Sequence, residues 1–241
     1  MQNNFIVSPR ISSEWSEEKR RTVWFLISSA RQGLGITIDP IVASAFIILQ
    51  KYFRGEIDNE YDLFILMSAA LFASCKAAEV FRSVNDISRE LYRLCVRSRS
   101  KAINQIISSH LLSPDCTVTY QDMKLILAAE IDLLKANDYT ISMDLPFSHF
   151  EKWKKNVIEN SCLIDEKFVK LCNHVIVDIC LLICSCYYLD VPPEVAAAAA
   201  ASRTFGNDQW VISVRQKFGN DLFDLAMNSI QFEDSRTMKR H

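Results

Sequence analysis

Apolar residues recur along this chain with a helical period. Between positions 14 and 32, Trp15, Val23, Phe25, Leu26, Ile27 and Ala30 stand among charged neighbours, and Gly33 and Gly35 follow, which predicts an amphipathic helix with a glycine stop. Asp39 and Pro40 then open a second helix, Ile41 to Phe53, before Gly55. It is apolar on nearly every side, so it is expected to be enclosed by other helices and to form the centre of a bundle. Asn59 precedes a third helix over 60–78. Ser83 with Asp86, and Thr119 with Asp122, carry the spacing of capped starts for a fourth and a fifth, the latter over about 120–136. Between these two, Cys95 to Thr117 reads as a helix extension running into a long loop.

The segment Asn137 to Asp144 is polar apart from Tyr139, Ile141 and Met143, and it divides the chain. Beyond it, Asp144 and Pro146 start a helix to about Asn160, and Asp165 starts a long one to Leu189. Pro192 and Pro193 open an alanine-rich helix to Phe205. Asn207 caps another to Phe218, and Gly219 and Asn220 precede a last one to about Phe232. The pattern is five helices on each side, an architectural duplication without a short sequence repeat.

Composition narrows the fold to the same class. Five Gly and six Pro in 241 residues supply too few tight turns for a many-stranded sandwich or a glycine-looped nucleotide fold, so the chain is expected to be all-α. The formal charge of −2 provides no overall positive field for nucleic acid or anionic lipid. Positions 1–13 lack a basic start followed by an apolar run, so an intracellular place, nucleus or cytoplasm, is expected. The run Val175 to Leu189 contains Asp178 and is shorter than the ~20 residues of a membrane-spanning helix, which makes it a buried helix. The eight cysteines fall mostly in apolar helical stretches and read as thiols.

Candidate chemistry is sparse. The four histidines form none of the familiar metal or nucleophile motifs, and no Walker or dinucleotide glycine pattern occurs. Cys180 and Cys184 share a helix face that Cys186 does not, so a metal site is not expected, and His174 reads as an interior histidine. No cofactor and no enzymatic activity are expected. Arg89, Arg93 and Arg97 form a stripe on one helix face, more in keeping with a solvated face than with a phosphate grip. The distinctive stretch is Leu63 to Glu79, where small residues interleave with large ones and Lys76 and Glu79 close the run. Lys76 is either a lysine snorkelling at a helix end or a charge offered to a partner beside an acidic companion.

The order of these segments resembles the cyclin family. Ala73-Ser74-Cys75-Lys76-Ala77-Ala78-Glu79 is similar to the family's ACK-VEE turn, with Ala78 in place of the first glutamate. The stretch 127–150, LAAEIDLLKANDYTISMDLPFSHF, resembles its fifth helix and the junction to the second box. Residues 174–203 resemble its second-box pattern. The likeness runs from about Trp15 to Ile230 and is nearest the transcription-type cyclins (the K, L, T, Q, C and H kinds). The docking patch of the cell-cycle kinds has no counterpart in Arg20 to Ile27.

The resemblance implies two five-helix cyclin boxes, over residues 14–142 and 143–232. It also implies a regulatory subunit that binds and activates a cyclin-dependent protein kinase, with the transcription machinery as a further partner. It carries kinase binding onto Lys76, Glu79 and Glu130, and onto Leu134, Tyr139 and Ile141 as the apolar positions beneath a mobile kinase helix. Two alternatives stay open: a module of the TFIIB kind that binds DNA and transcription complexes, and a cyclin-like interaction protein without a kinase.

Overall fold

In the computed structural model, which describes residues 15–36, 39–55, 61–98, 119–140, 143–160 and 165–238, helix starts are set by oxygens that the sequence supplies. The N-terminal amides of a helix lack intrahelical acceptors, so a side-chain oxygen just ahead of the first turn stabilises it. Ser16 accepts from the Lys19 amide at the head of α1 (Glu17–Gly33), and Asp62 accepts from the Phe64 amide at the head of α3 (Leu63–Ala77). Between them lies α2 (Asp39–Arg54). Ser83 Oγ accepts from the Asp86 amide in α4 (Val84–Ser98). Thr119 and Asp122 form a reciprocal capping box at α5 (Tyr120–Ala136).

The second set comprises α6 (Pro146–Asn160), α7 (Glu166–Cys184), α8 (Pro193–Phe205), α9 (Gln209–Phe218) and α10 (Asn220–Met238), with a short 3-10 turn at Tyr188–Asp190. The chain is thus all-helical over the described residues, with five helices before residue 140 and five after it. None of these helices is long and apolar enough to cross a membrane.

Several expected boundaries move. The third helix starts at Leu63 on Asp62, and Asn59 lies outside the described residues. The cap of α9 is Asp208, whose carboxylate accepts from the Val211 amide, and Asn207 is left as an acceptor for Ser202 Oγ. The last helix continues past Phe232 to Met238. Of the stretch Cys95 to Thr117, Cys95–Ser98 extends α4 as expected, and the remainder lies outside the described residues.

The helix expected to run to Leu189 stops at Cys184. Its freed carbonyls are taken by side chains of the first set: Arg20 Nε donates to Cys184 O, and Gln50 Nε2 donates to Ile183 O (2.9 Å) and to Ser185 O. Nor is α7 buried all round, because His174 and Val177 on its outer face are exposed. His174 is therefore a surface residue and not an interior one.

The enclosed helix of the first set is α3, which packs against α1, α2, α4 and α5. Every residue from Leu63 to Cys75 except Phe72 is buried. Its small residues, among them Ala69, Ala70 and Ala73, let four neighbours approach closely. The expectation that α2 forms the centre is thus corrected. Helix α2 is apolar on several sides because it spans the seam, packing on α1, α3 and α5 and also on α7 and the 3-10 turn. In the second set the third helix is again the enclosed one: α8 packs against α6, α7, α9 and α10 with Val195 to Ala201 buried.

Polar contacts fasten the two sets. Besides Arg20 and Gln50, Arg21 Nη2 meets Glu233 of α10 at 2.5 Å and Arg54 Nη2 meets Asp190 Oδ1 at 2.6 Å. Glu233 is buried, so its carboxylate depends on that guanidinium.

Candidate functional site

Lys76 sits in the last turn of α3, where the helix dipole favours a cation. Its Nζ lies 2.8 Å from Glu130 Oε1 on α5 and 5.1 Å from the centroid of the Phe72 ring. The two partners differ sharply in burial, with 54% of the Lys76 side chain exposed against 8% for Glu130. A buried carboxylate is thus neutralised by an ammonium that still faces outward.

Two more contacts hold α5 in place. Tyr61 Oη donates to Asp132 Oδ2 at 2.8 Å, and the hydrogen bond to that carboxylate pushes the tyrosine up to about 12. Asn137 Nδ2 donates to Ile48 O and to Leu133 O, tying the end of α5 to α2. Held this way, α5 turns Ile126, Ala129 and Leu133 into the core. A second row, Tyr120, Leu127, Ile131 and Leu134, follows helical spacing along a different face. Tyr120, Leu127 and Ile131 in it are exposed, Ile131 by 53%, and Leu134 is half-buried. The result is an apolar strip on α5, beside the Lys76–Glu130 pair.

Both helices end in Schellman motifs with a non-glycine residue in the left-handed region. At α3, Val80 N donates to Cys75 O and Glu79 N to Lys76 O, with Glu79 at φ 56°. At α5, Tyr139 N donates to Leu134 O (2.7 Å) and Asp138 N to Lys135 O, with Asp138 and Tyr139 at φ 51° and 54°. Each such residue costs on the order of 1 kcal/mol relative to glycine.

Of the residues named from the sequence, Lys76 and Glu130 are brought together directly. Glu79 does not join their pair; it is exposed and forms the turn after α3. Leu134 belongs to the apolar strip on α5. Tyr139, 65% exposed, stands at the C-terminal end of the same helix, and Ile141 lies outside the described residues. Sequence reasoning missed Phe72, Leu127 and Ile131. Their spacing was visible, but α5 is apolar on two faces, and the pattern alone does not say which one the core takes.

The six described free thiols, Cys75, Cys95, Cys172, Cys180, Cys184 and Cys186, are all pushed above the usual range, burial being the largest cause in each. Cys75 reaches about 11 and Cys95 about 12. Cys116 and Cys162 lie outside the described residues. Among the described residues no three His, Cys, Asp or Glu side chains converge as metal ligands.

No protein-family profile matches this chain, and no curated protein matches it. Among solved structures, it is similar to a chain of the CAK complex from Chaetomium thermophilum bound to ATP-gamma-S, with a TM-score of 0.57 and 16% sequence identity. The match covers 92% of this chain but only 63% of the length of the other. At that identity the likeness speaks to the fold alone, and it supports a cyclin-like arrangement of the helices.

Proposed function

We propose that this chain is a regulatory subunit that binds and activates a cyclin-dependent protein kinase of the transcription-associated kind, and that it catalyses no reaction itself. The observation that carries the reading is the outward-facing ammonium of Lys76 over the buried Glu130 carboxylate, next to the uncovered strip Leu127, Ile131 and Leu134. Interfaces of stable complexes combine an apolar centre with a few charged anchors in this way. The similar chain comes from a complex bound to a thio-analogue of ATP, the cosubstrate of kinases, which agrees with a kinase partner.

A protein kinase transfers phosphoryl groups only when a lysine on one of its strands is paired with a glutamate on its mobile helix and its activation loop is placed. A rigid surface that binds the active arrangement better than the inactive one shifts the population toward it. Helix α5 suits that task, because Tyr61, Lys76 and Asn137 hold it from three directions. The apolar strip packs on the mobile helix while Lys76 and Glu130 engage its polar groups.

The test mixes the purified chain with a panel of recombinant cyclin-dependent kinases, cell-cycle and transcription-associated, and measures complex formation by gel filtration and phosphorylation of a peptide substrate. Binding and activation of a transcription-associated member is the expected result. Binding of none, together with a shift of duplex DNA at moderate salt, would favour the reading as a DNA-binding module.

A further inference from the structure

We infer a second interaction surface, a cleft that docks a protein segment through one phosphorylated side chain placed next to an apolar residue. The cleft, of about 490 Å³, lies between the end of α1, the turn after α3 and the face of α4. Gly33 and Leu34 form its floor, with Phe81, Arg82, Asp86, Arg89, Glu90 and Arg93 around it.

Three guanidinium groups line one opening, and they are held differently. Arg82 is fixed by backbone alone, donating through Nε to Leu34 O (2.6 Å), through Nη1 to Phe81 O (2.6 Å) and through Nη2 to Gly35 O (3.0 Å). Its orientation is preset while no carboxylate cancels its charge. Arg93 forks onto Glu90, which lies so close over α1 that a Cβ on Gly33 would overlap its carboxylate. Arg89 is exposed and has no carboxylate partner among the described residues. Of the two acids, Glu90 is engaged by Arg93, and Asp86 accepts from Ser83 Oγ at the start of α4. The lining thus carries three arginines against two carboxylates, and its two guanidinium groups without a carboxylate of their own, Arg82 and Arg89, match a phosphate, with nearly two negative charges and several acceptor oxygens, better than a single carboxylate.

Phe81 specifies the neighbour of that anion. It is 86% exposed, yet its backbone is pinned on both sides, by the turn that closes α3 and by the Arg82 guanidinium on its own carbonyl. An exposed aromatic ring on a fixed backbone, beside two guanidinium groups, fits a phosphorylated peptide with an apolar flank. A nucleic acid would require a longer positive track, which a chain of net charge −2 with two carboxylates in this lining does not offer.

The proposal does not depend on the kinase reading, and its test uses the full chain without a kinase. Three pools of fluorescent peptides, degenerate except for a central phosphoserine, glutamate or serine, are titrated by polarisation, with a duplex DNA of equal charge as a fourth probe. The expected result is at least tenfold tighter binding of the phosphoserine pool than of either the glutamate or the serine pool. Arg89→Glu should reduce that binding at least tenfold. Glu90→Gln, which releases Arg93, should strengthen it severalfold. Lys76→Ala should leave it unchanged. Binding of the glutamate or serine pool as tight as that of the phosphoserine pool, indifference to Arg89→Glu in a variant with native circular dichroism, or preference for DNA would overturn the proposal.

Discussion

Replacing Lys76 by alanine separates an interface role from an internal one. In the free chain the Lys76 ammonium is half in water, and its removal lets water reach the Glu130 carboxylate, so losing the pair should cost about 1 kcal/mol, the upper range for exposed pairs. For a domain pair of this size that lowers Tm by about 2–4 °C. A bound partner that covers the ammonium would leave the Glu130 carboxylate buried without a cation in the variant. Removing one member of such a covered pair costs about 2–5 kcal/mol, a loss of roughly 30-fold to several thousandfold in affinity. The proposed site therefore predicts a small effect on folding and a large one on binding, measured by thermal unfolding and by titration calorimetry against the kinase retained from the panel. Ile131→Ser is the apolar counterpart. Full burial of an isoleucine is worth about 1.5–3 kcal/mol, and the half of Ile131 still exposed accounts for about 1 kcal/mol, close to a fivefold loss of affinity. If Lys76→Ala instead lowered Tm by about 10 °C and left affinity within threefold, the pair would be an internal staple and the site assignment would fail.

Four other outcomes follow from the geometry. Gln50→Leu leaves the carbonyls of Ile183 and Ser185 without their donor and should cost about 1–3 kcal/mol, read as a drop in Tm with faster proteolysis around Ser185. Asp138→Gly removes a left-handed non-glycine residue and should stabilise by about 0.5–1 kcal/mol, whereas an unchanged or lower Tm would contradict the strain argument. Tyr61 titrates higher in the folded chain, at about 12, than near 10 when unfolded. Its contribution is therefore complete below pH 10 and is lost as pH rises toward 12, and Tyr61→Phe should flatten the fall in denaturant midpoint across that window. Cys75 and Cys95 should resist iodoacetamide at pH 8 until the chain is unfolded, and rapid labelling of either in the native state would refute their burial.

Much of the candidate site was legible before any coordinates. A lysine following so apolar a helix invites a partner, and the likeness of residues 127–150 to a cyclin fifth helix pointed to Glu130, fifty-four residues away, which lies within 2.8 Å. Glu79 shows the limit of that reading. Its nearness in sequence to Lys76 suggested a companion, yet the chain reverses after Ala78 and Glu79 is consumed in the turn itself. Leu127 and Ile131 were hidden for a different reason. A helix with apolar residues on two faces looks fully buried, and only the position of α3 decides which face is covered.

Helix identity, most helix starts to within a few residues and the all-helical class were determined by the sequence alone. They rest on local matters: a 3.6-residue apolar period, an oxygen before the first turn, and too few glycines for anything else. Helix ends and exposure were decided by the tertiary structure. The apolar run through Tyr187 and Tyr188 has no local reason to break at Cys184, but Arg20 and Gln50 arrive from the other set of helices and take its last carbonyls. The last helix, likewise, runs on past Phe232 as Glu233 reaches Arg21. A start needs only neighbours in the chain, whereas an end, and the choice of which greasy face stays uncovered, depends on donors and surfaces brought from some fifty to more than a hundred residues away.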